Sequence, residues 1–346
     1  MKMTLHRLQL PLQHEFTISR GSIQFQNSLV VELEQDGISG FGEVTENSFY
    51  GHTIEAMSAS LTDGQDLLEK YETDSPEEVW PAAKSQLQNM FALSALDMAA
   101  HDLAARRSGV PLYQQWGLAW RDVPESSYTI GIDTIETMIA KLNEQPGWSV
   151  YKIKLGAQDD LAIVRALREQ TSATFRVDAN CGWTAEQTIA YSHELAKLNV
   201  EFIEQPLLNT ATPEEMRHVY QNSTLPIIAD ENCQVEDDVT RCVGFFHGVN
   251  VKLCKCGGLT PGLRMLRMAR QLGLKTMVGC MIESSIGISA AAHLAPLLDY
   301  ADLDGAVLLK SDPAIGVVID MGQIRLSQAP GGGAQWKAPV AARAAH

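Results

Sequence analysis

Charged residues recur at the ends of short apolar segments in the second half of this 346-residue chain. Lys152 and Lys154 alternate in the strand-like segment YKIKLG, so both side chains lie on one side of it. Burying an ammonium in an apolar core is costly, and the two heads are therefore expected to reach a polar site. The segments that follow end in a similar way, with Asp178 in FRVDAN, Glu204 in EFIEQP, Asp230 in PIIADE, Lys252 in VNVKLC, and Asp302 and Asp304 in YADLDG.

This set of charges suggests a metal site flanked by bases. Any single carboxylate at a strand end can instead cap the next helix or point into solvent. Three carboxylates from adjacent strands, Asp178, Glu204 and Asp230, would form an oxygen-rich site that suits Mg²⁺. We expect lysines on either side of the metal, and we expect the lysine pair and the metal to lower the pKa of a lysine toward the range of a general base.

The spacing of these segments predicts the fold that brings the charges together. Six strand tips, from Ile130 to Lys252, are 22 to 26 residues apart, and two further apolar segments, KTMVGCMIE and YADLDGAVLL, complete a set of eight. Eight parallel strands at this spacing favour a closed (β/α) barrel, and the lack of a Gly-rich phosphate loop argues against an open doubly wound sheet. Catalytic groups of such barrels lie at the carboxyl ends of the strands.

The remaining segments predict a second domain. Residues 1–60 alternate like strands and residues 77–108 are helix-like, which indicates an α+β domain. We place this domain at residues 1–122, the barrel at 123–310, and a segment that returns to the first domain at 311–346, with a poorly ordered tail from residue 329. His101 is expected to be structural.

Composition narrows the partners and the compartment. A net charge of −15 and a pI near 5.0 argue against surfaces for nucleic acid or anionic lipid, and no apolar run is long enough to span a membrane. The first residues do not resemble a secretory signal, and the six cysteines lack zinc spacing, so we expect reduced, incidental thiols in the cytoplasm. A homo-oligomer is compatible with the sequence.

The motifs, in this order, resemble those of the enolase superfamily, in its muconate-lactonizing subgroup, and within it those of the dipeptide epimerases. The resemblance rests on KIK, VDAN, EQP, ADEN, VKLCKCGG, GCMIESSIGISAAAHLA and DLD, and it covers nearly the whole chain. It implies a (β/α) barrel with an α+β capping domain, one Mg²⁺ per subunit, and a lysine base with metal stabilisation of an enediolate.

The resemblance also implies a role for individual residues. Asp178, Glu204 and Asp230 match the metal ligands, and Lys154 and Lys252 match the two catalytic bases, although a short connection between Asp230 and Lys252 leaves Lys255 as an alternative to Lys252. Other residues match substrate contacts: Lys152 for the substrate carboxylate, Asp302 and Asp304 for the dipeptide ammonium, and Thr129, Cys280 and Ile282 for the cavity wall.

Two capping-domain loops, near residues 16–24 and 45–54, match the mobile lids of the family. Arg20, in a segment like that of L-Ala-D/L-Glu epimerases, could bind a glutamate side chain, while His52 is expected at the surface. The implied activity is a 1,1-proton transfer at the α-carbon of the C-terminal residue of a dipeptide, with L-Ala-D/L-Glu favoured. Other dipeptides, N-acylamino acid racemisation and o-succinylbenzoate synthesis are alternatives, and a catalytically silent binding protein is a third hypothesis. The paired acids of DLD argue against acylated substrates, which carry no ammonium.

Overall fold

The N-terminal part of the chain is an antiparallel sheet covered by helices. A computed structural model describes residues 1–18, 21–73, 75–156 and 159–337. The three strands pair in the order in which they occur in the chain. They are β1 (Lys2–Ile18), β2 (Gly21–Gln35) and β3 (Ile38–Thr45), and the helices are α1 (Ile54–Asp63), α2 (Leu67–Thr73), α3 (Pro76–Gln86), α4 (Met90–Ser108) and α5 (Leu112–Gln115).

Helix α4 packs between this sheet and the rest of the molecule. It is buried on nearly every side, as expected for a helix whose apolar residues are not confined to one stripe. Asn89 caps its first turn by accepting a hydrogen bond from the Ala92 amide, and Gly109 ends it in the left-handed conformation at φ 72°. Gly40 and Gly42 of β3 lie so close to the α4 backbone that a Cβ at either position would overlap it. The helix is therefore held tightly against the sheet.

The second part is an eight-stranded parallel sheet whose strands follow one another in chain order, as the strand tips predict. A parallel bridge between Ser126 and Ala301 joins its first and last strands, so the sheet closes into a barrel. The strands are β4 (Tyr128–Ile130), β5 (Val150–Lys154), β6 (Thr174–Asp178), β7 (Val200–Glu204), β8 (Ile227–Ala229), β9 (Gly248–Val251), β10 (Lys275–Gly279) and β11 (Tyr300–Asp302).

Helices alternate with these strands, and several begin at clear sequence signals. Thr184 and Thr212 each form a capping box with the Gln or Glu three residues later, which fixes the starts of two helices. The helices are α6 (Ile135–Glu144), α7 (Asp160–Arg168), α8 (Ala185–Ala196), α9 (Pro213–Asn222), α10 (Glu236–Arg241), α11 (Leu253–Cys256), α12 (Leu259–Gln271) and α13 (Ser285–Ala292), followed by a 3₁₀ turn at Ala295–Leu297. No helix among the described residues is both long and apolar enough to cross a membrane.

The chain after the barrel returns to the capping domain. Its strands are β12 (Ala314–Ile315), β13 (Val318–Asp320), β14 (Gln323–Arg325) and β15 (Gln335–Trp336), and β12 pairs with β15. The expectation of a poorly ordered tail from residue 329 is wrong for residues 329–337. Gly332 donates its amide to Asp102 of α4 at 2.7 Å, and the Trp336 ring packs edge-on against Phe41. The glycines of this segment serve close packing on α4 instead; residues 338–346 lie outside the described part of the chain.

Two buried carboxylates of the capping domain bind helix starts of the barrel. Glu43 of β3 accepts hydrogen bonds from the amides of Ser284 and Gly287 at the start of α13. Asp97 of α4 accepts from the amide and hydroxyl of Thr260 at the start of α12, both at 2.8 Å. A carboxylate at a helix N-terminus satisfies free amides and complements the helix dipole. The capping domain is thus attached to the face of the barrel that carries the strand ends.

Candidate active site

The charged strand ends meet at one cavity of about 330 Å³, beneath the two lid segments. Seven of the residues named from the sequence line it: Thr129, Lys152, Lys154, Asp230, Lys252, Asp302 and Asp304. Cys280 and Ile282, in the loop after β10, also line it. Asp178 and Glu204 are fully buried below its floor and contact the lysines above them. Strand register explains the convergence, because Lys154, Asp178 and Glu204 are partners across β5, β6 and β7.

Lys152 lies at the centre of the carboxylates. Its Nζ is 2.6 Å from Glu204 Oε2, 2.8 Å from Asp302 Oδ2 and 3.2 Å from Asp178 Oδ2. Burial alone lowers the pKa of Lys152, but the charges of Asp302, Glu204 and Asp178 outweigh it and raise this pKa well above the ordinary lysine value. The side chain is only 1% exposed. It can lie inside the barrel because three carboxylates surround its ammonium.

Lys154 and Lys252 approach the cavity from opposite sides. Lys154 ends β5 and Lys252 follows β9, which are four strands apart in a ring of eight. Lys154 Nζ is 2.7 Å from Asp178 Oδ2, and Lys252 Nζ is 2.9 Å from Asp230 Oδ2. Both side chains keep about a tenth of their surface exposed to the cavity. Each ammonium therefore combines one carboxylate partner with access to whatever the cavity holds.

The protein's own groups do not lower the pKa of Lys252. Burial and the charge of Lys152 act to lower it, but Asp230 and, to a smaller extent, Glu204 raise it well above the ordinary value. The predicted lowering of a lysine pKa requires the metal ion as well as the lysine pair, and it stays a prediction. For the protein's side chains alone, the carboxylates within hydrogen-bonding distance outweigh the positive neighbours of Lys152 and Lys252.

Lys255, the alternative to Lys252, has a different environment. It is buried and is not among the residues that line the cavity. Its Nζ donates to Asp230 Oδ1 at 2.5 Å, to the Asp230 carbonyl at 2.6 Å and to the Asn250 carbonyl at 3.4 Å. All three ammonium protons are thus committed to fixed acceptors, as expected for a structural lysine.

Asp178, Glu204 and Asp230 carry negative charge that the lysines only partly balance. Burial, followed by the charge of Asp178, raises the pKa of Glu204 to about 7 despite Lys152. Asp178 and Asp230 have pKa values below their usual range: burial alone would raise both, but adjacent lysines stabilise their charged forms. Within the described ranges, no three carboxylate, His or Cys side chains are close enough to enclose a metal ion as they stand. The ammonium of Lys152 lies between Asp178 and Glu204 instead.

The acid pair of the last strand borders the cavity beside β4. Asp302 accepts a hydrogen bond from the Ser127 hydroxyl at 2.7 Å, and Asp304 accepts one from the Thr129 amide at 2.5 Å. Burial and the neighbouring Asp302 raise the pKa of Asp304 to about 7. A buried carboxyl beside a second one favours a positively charged neighbour, because a cation would stabilise its ionised form.

Two side chains that hold the site were not singled out in the sequence. Gln205 follows Glu204 with the unusual φ of 36°, and its Oε1 accepts the backbone amides of Asp230 and Asn232. Asn250 of β9 donates from Nδ2 to Glu204 Oε1 at 2.7 Å. Polar residues within apolar strand segments were the available signal, since a buried amide must find partners.

The described parts of the lids form the roof of the cavity. Phe16, Ile18 and Ile23 line it from the first lid and Tyr50 from the second, while Arg20 lies outside the described residues.

His52 is half-buried, with its ring centroid 4.2 Å from that of Phe91. This ring contact anchors the second lid on α4, and burial, which also lowers the pKa of His52, makes the residue less exposed than expected. His101 is buried against the Thr260 hydroxyl at 2.9 Å, a structural position.

Comparison with known proteins places the whole chain in one family. Residues 2–117 match the mandelate racemase / muconate lactonizing enzyme N-terminal domain, and residues 135–340 match the enolase C-terminal domain-like family. The L-Ala-D/L-amino acid epimerase of Flavobacterium johnsoniae is 51% identical over 96% of this chain and 99% of its own length. The L-Ala-D/L-Glu epimerase of Bacteroides thetaiotaomicron is 36% identical over 96% of this chain and 87% of its own.

Solved structures agree. The dipeptide epimerase of Enterococcus faecalis, complexed with Mg and L-Leu-L-Tyr, superposes with a TM-score of 0.89 at 30% identity, covering 96% of this chain and 98% of that one. The substrate-liganded L-Ala-D/L-Glu epimerase of Bacillus subtilis gives 0.88 at 27% identity, with the same coverage. The chain therefore belongs to the mandelate racemase / muconate lactonizing enzyme family of enolase-like proteins.

Proposed function

We propose that this protein is a Mg²⁺-dependent dipeptide epimerase. The observation that carries the proposal is the placement of Lys154 and Lys252, whose ammoniums enter one cavity from opposite sides above a group of buried carboxylates. Two bases on opposite faces of a carbon are what inversion by proton transfer requires. The epimerase names of relatives that match over almost the full chain support the same activity.

Asp178, Glu204 and Asp230 are the residues that would hold the metal. They provide only oxygen ligands, which suit Mg²⁺. Glu204 Oε2 pairs with the Lys152 ammonium at 2.6 Å, and burial and the charge of Asp178 raise the pKa of Glu204 despite this lysine, so a metal cation at this oxygen would stabilise the ionised carboxylate. These features fit a cation, provided that the flexible Lys152 side chain moves from between the carboxylates. When bound, Mg²⁺ would stabilise negative charge that develops on the substrate carboxylate as the α-proton leaves.

The lysines carry out the proton transfer. The Nζ of one lysine, in its neutral form, takes the proton from the α-carbon, and the Nζ of the opposite lysine, in its ammonium form, returns one to the other face. The two lysines exchange roles for the two epimers, so configuration changes at that carbon alone. Lys152 would face the substrate carboxylate and stabilise its charge. The lids exclude water from the exchange, which keeps the proton on the enzyme.

Asp302 and Asp304 are proposed to bind the ammonium of the dipeptide. Both are buried carboxyls on the cavity wall, and the pKa of Asp304, raised to about 7, would fall as a cation arrives. An N-acylated substrate has no charge for this pair and would leave Asp304 without a cation, since Asp302 already pairs with Lys152 at 2.8 Å. This difference favours dipeptides over the substrates of N-acylamino acid racemases and o-succinylbenzoate synthases, and the two catalytic lysines disfavour a silent binding protein.

The side chain of the epimerised residue faces the lids. The described lid residues that line the cavity are both apolar, such as Phe16 and Ile23, and polar, such as Asn47, and they include the acid Glu46 but no cation. These residues favour an uncharged side chain, whereas a preference for L-Ala-D/L-Glu depends on Arg20. One Mg²⁺ per subunit, the cytoplasmic location and the oligomeric state stay predictions.

The test is to incubate the protein with Mg²⁺ and L,L-dipeptides in D₂O and to follow α-deuterium by ¹H NMR and mass spectrometry. We expect deuterium at the C-terminal residue only, together with formation of the L,D epimer. Three substrates distinguish a dipeptide epimerase from an N-acylamino acid racemase and an acidic from an apolar side-chain preference: L-Ala-L-Glu, L-Ala-L-Leu and N-acetyl-L-Glu. Exchange in N-acetyl-L-Glu but in neither dipeptide would overturn the assignment of the acid pair, and no exchange in any substrate would overturn the epimerase function.

A further inference from the structure

Asn250 is a fully buried polar residue inside the barrel, two positions before Lys252. Its neighbours Val249 and Val251 are buried in the main hydrophobic core, while the Asn250 side chain reaches Glu204 on β7. Alternation along the strand therefore places Asn250 and Lys252 on the interior side. The desolvation cost of an amide at such a position must be offset by its hydrogen bonds, because an apolar residue would fill the same space without that cost.

The contacts of Asn250 reach two of the three proposed metal ligands. Its Nδ2 donates to Glu204 Oε1 at 2.7 Å, which leaves Oε2 to face the Lys152 ammonium at 2.6 Å. Its backbone carbonyl accepts from Lys255 Nζ at 3.4 Å, and Lys255 in turn donates to Asp230 Oδ1. The side chain thus distinguishes one oxygen of Glu204 from the other, and the backbone supports the lysine that fixes Asp230.

Gly279 on the neighbouring strand β10 leaves room for this amide. A Cβ at Gly279 would lie 2.8 Å from both Asn250 Nδ2 and Asn250 Oδ1, and 3.1 Å from Lys252 Cε. Contacts this short would force the amide or the lysine to move. The glycine at the end of β10 and the asparagine in β9 therefore form one arrangement, which also borders the path of the Lys252 side chain.

We propose that Asn250 is a positioning residue that orients Glu204 for the metal ion, and that Gly279 provides the space in which its amide does so. The proposal rests on the proposed function, since it concerns a metal bound by Asp178, Glu204 and Asp230. Hydrogen bonds to carboxylate ligands fix their orientation, and their loss commonly weakens metal binding by about 10- to 100-fold.

The experiment measures Mn²⁺ binding directly, by EPR titration of free Mn²⁺, in the protein and its variants without substrate. Asn250→Leu keeps most of the volume and removes the donor, and Asn250→Ala removes the donor without adding atoms. Gly279→Ala leaves Asn250 in place but occupies its space. Ser192→Ala is the control, because Ser192 is equally buried and hydrogen-bonded but lies on the outer helix α8. Thermal unfolding of each variant reports its stability.

We expect all three site variants to bind Mn²⁺ about 10- to 100-fold more weakly than the wild type, and Ser192→Ala to bind it equally. A structural role alone would lower the unfolding temperature while leaving the affinity of the folded protein unchanged. Folded Asn250→Leu or Asn250→Ala with an affinity within twofold of the wild type would overturn the proposal. If both fail to fold, Gly279→Ala decides in the same way. A wild type that binds no Mn²⁺ would overturn the metal site itself, which separates that failure from failure of the Asn250 role.

Discussion

Lys252 and Lys255 contact the same carboxylate, and their replacement by methionine should have opposite consequences for activity and stability. Lys252 forms one ion pair among the described residues, with Asp230 Oδ2, and faces the cavity. Lys255 has three acceptors and does not line the cavity. The first residue is placed to move a proton, and the second is placed to hold Asp230.

The stability change follows from these contacts. Breaking a buried ion pair by removing one partner costs about 3–5 kcal/mol, because the remaining charge stays buried. With an unfolding entropy of about 2.1 cal/mol/K per residue, cooperative unfolding of 346 residues would shift Tm by about 1.4 °C per kcal/mol. Lys255→Met should therefore lower Tm by about 4–7 °C. Lys252→Met should lower it less, since Lys252 contacts only Asp230 Oδ2 among the described residues, whereas Lys255 also donates to two buried backbone carbonyls.

The activity change should show the reverse order. Loss of a positioned acid–base group costs roughly 10²- to 10⁴-fold in rate, so Lys252→Met should lose epimerisation to at least this extent. With each epimer tested separately in D₂O, Lys252→Met should still exchange the α-proton of the epimer that faces Lys154, without inversion. Lys154→Met should exchange only the opposite epimer. Unimpaired epimerisation by Lys252→Met, or an inactive Lys255→Met with wild-type Tm, would refute the assignment of the base.

Three other changes test separate parts of the site and the fold. Chelation with EDTA should abolish turnover and added Mg²⁺ should restore it, whereas full activity in metal-free protein would contradict the metal site. Arg20→Met should lose roughly 10- to 100-fold in kcat/KM on L-Ala-L-Glu and little on L-Ala-L-Ala, as expected for one charge-assisted contact; equal losses would instead assign Arg20 to lid closure. Burial lowers the pKa of His293 to about 4 in the folded protein, so protons bind the unfolded chain more readily. The free energy of unfolding should therefore fall as pH drops from 6.5 toward 4, by about 1.4 kcal/mol at pH 5.5. Urea unfolding at pH 7.5 and 5.5 measures this loss, and a His293→Asn variant with an unchanged pH dependence would contradict it.

The barrel and its charged residues could be predicted from the sequence because each strand carries its signal locally. Short β-branched segments at regular spacing define parallel strands, and the carboxyl ends of such strands meet at one place. Lys154, Asp178 and Glu204 are cross-strand neighbours for this reason alone. The fold and the convergence of the site thus depend on periodic features that a single chain displays.

Contacts between distant side chains could not be predicted in this way. The sequence does not indicate that Asn250 binds Glu204, or that the ammonium of Lys255 is enclosed by acceptors, since both depend on atomic packing. The raised pKa of Lys152 has the same origin, because its three carboxylates come from three different strands. Electrostatic effects depend on distances of a few ångströms, which strand spacing does not determine.

The attachment of the second lid explains how specificity can vary while the two lysines proposed as bases stay fixed. Glu43 is two residues before Thr45, where this lid begins, and it binds the Ser284 amide, two residues after Ile282 of the cavity wall. The base of the lid and the β10–α13 loop are therefore held by one buried carboxylate. Beyond this attachment the lid tip rests on α4 through its aromatic contacts with Phe91. Because Lys154 and Lys252 are fixed at barrel strands, substitutions in the lid tip can alter the side-chain pocket without moving either base.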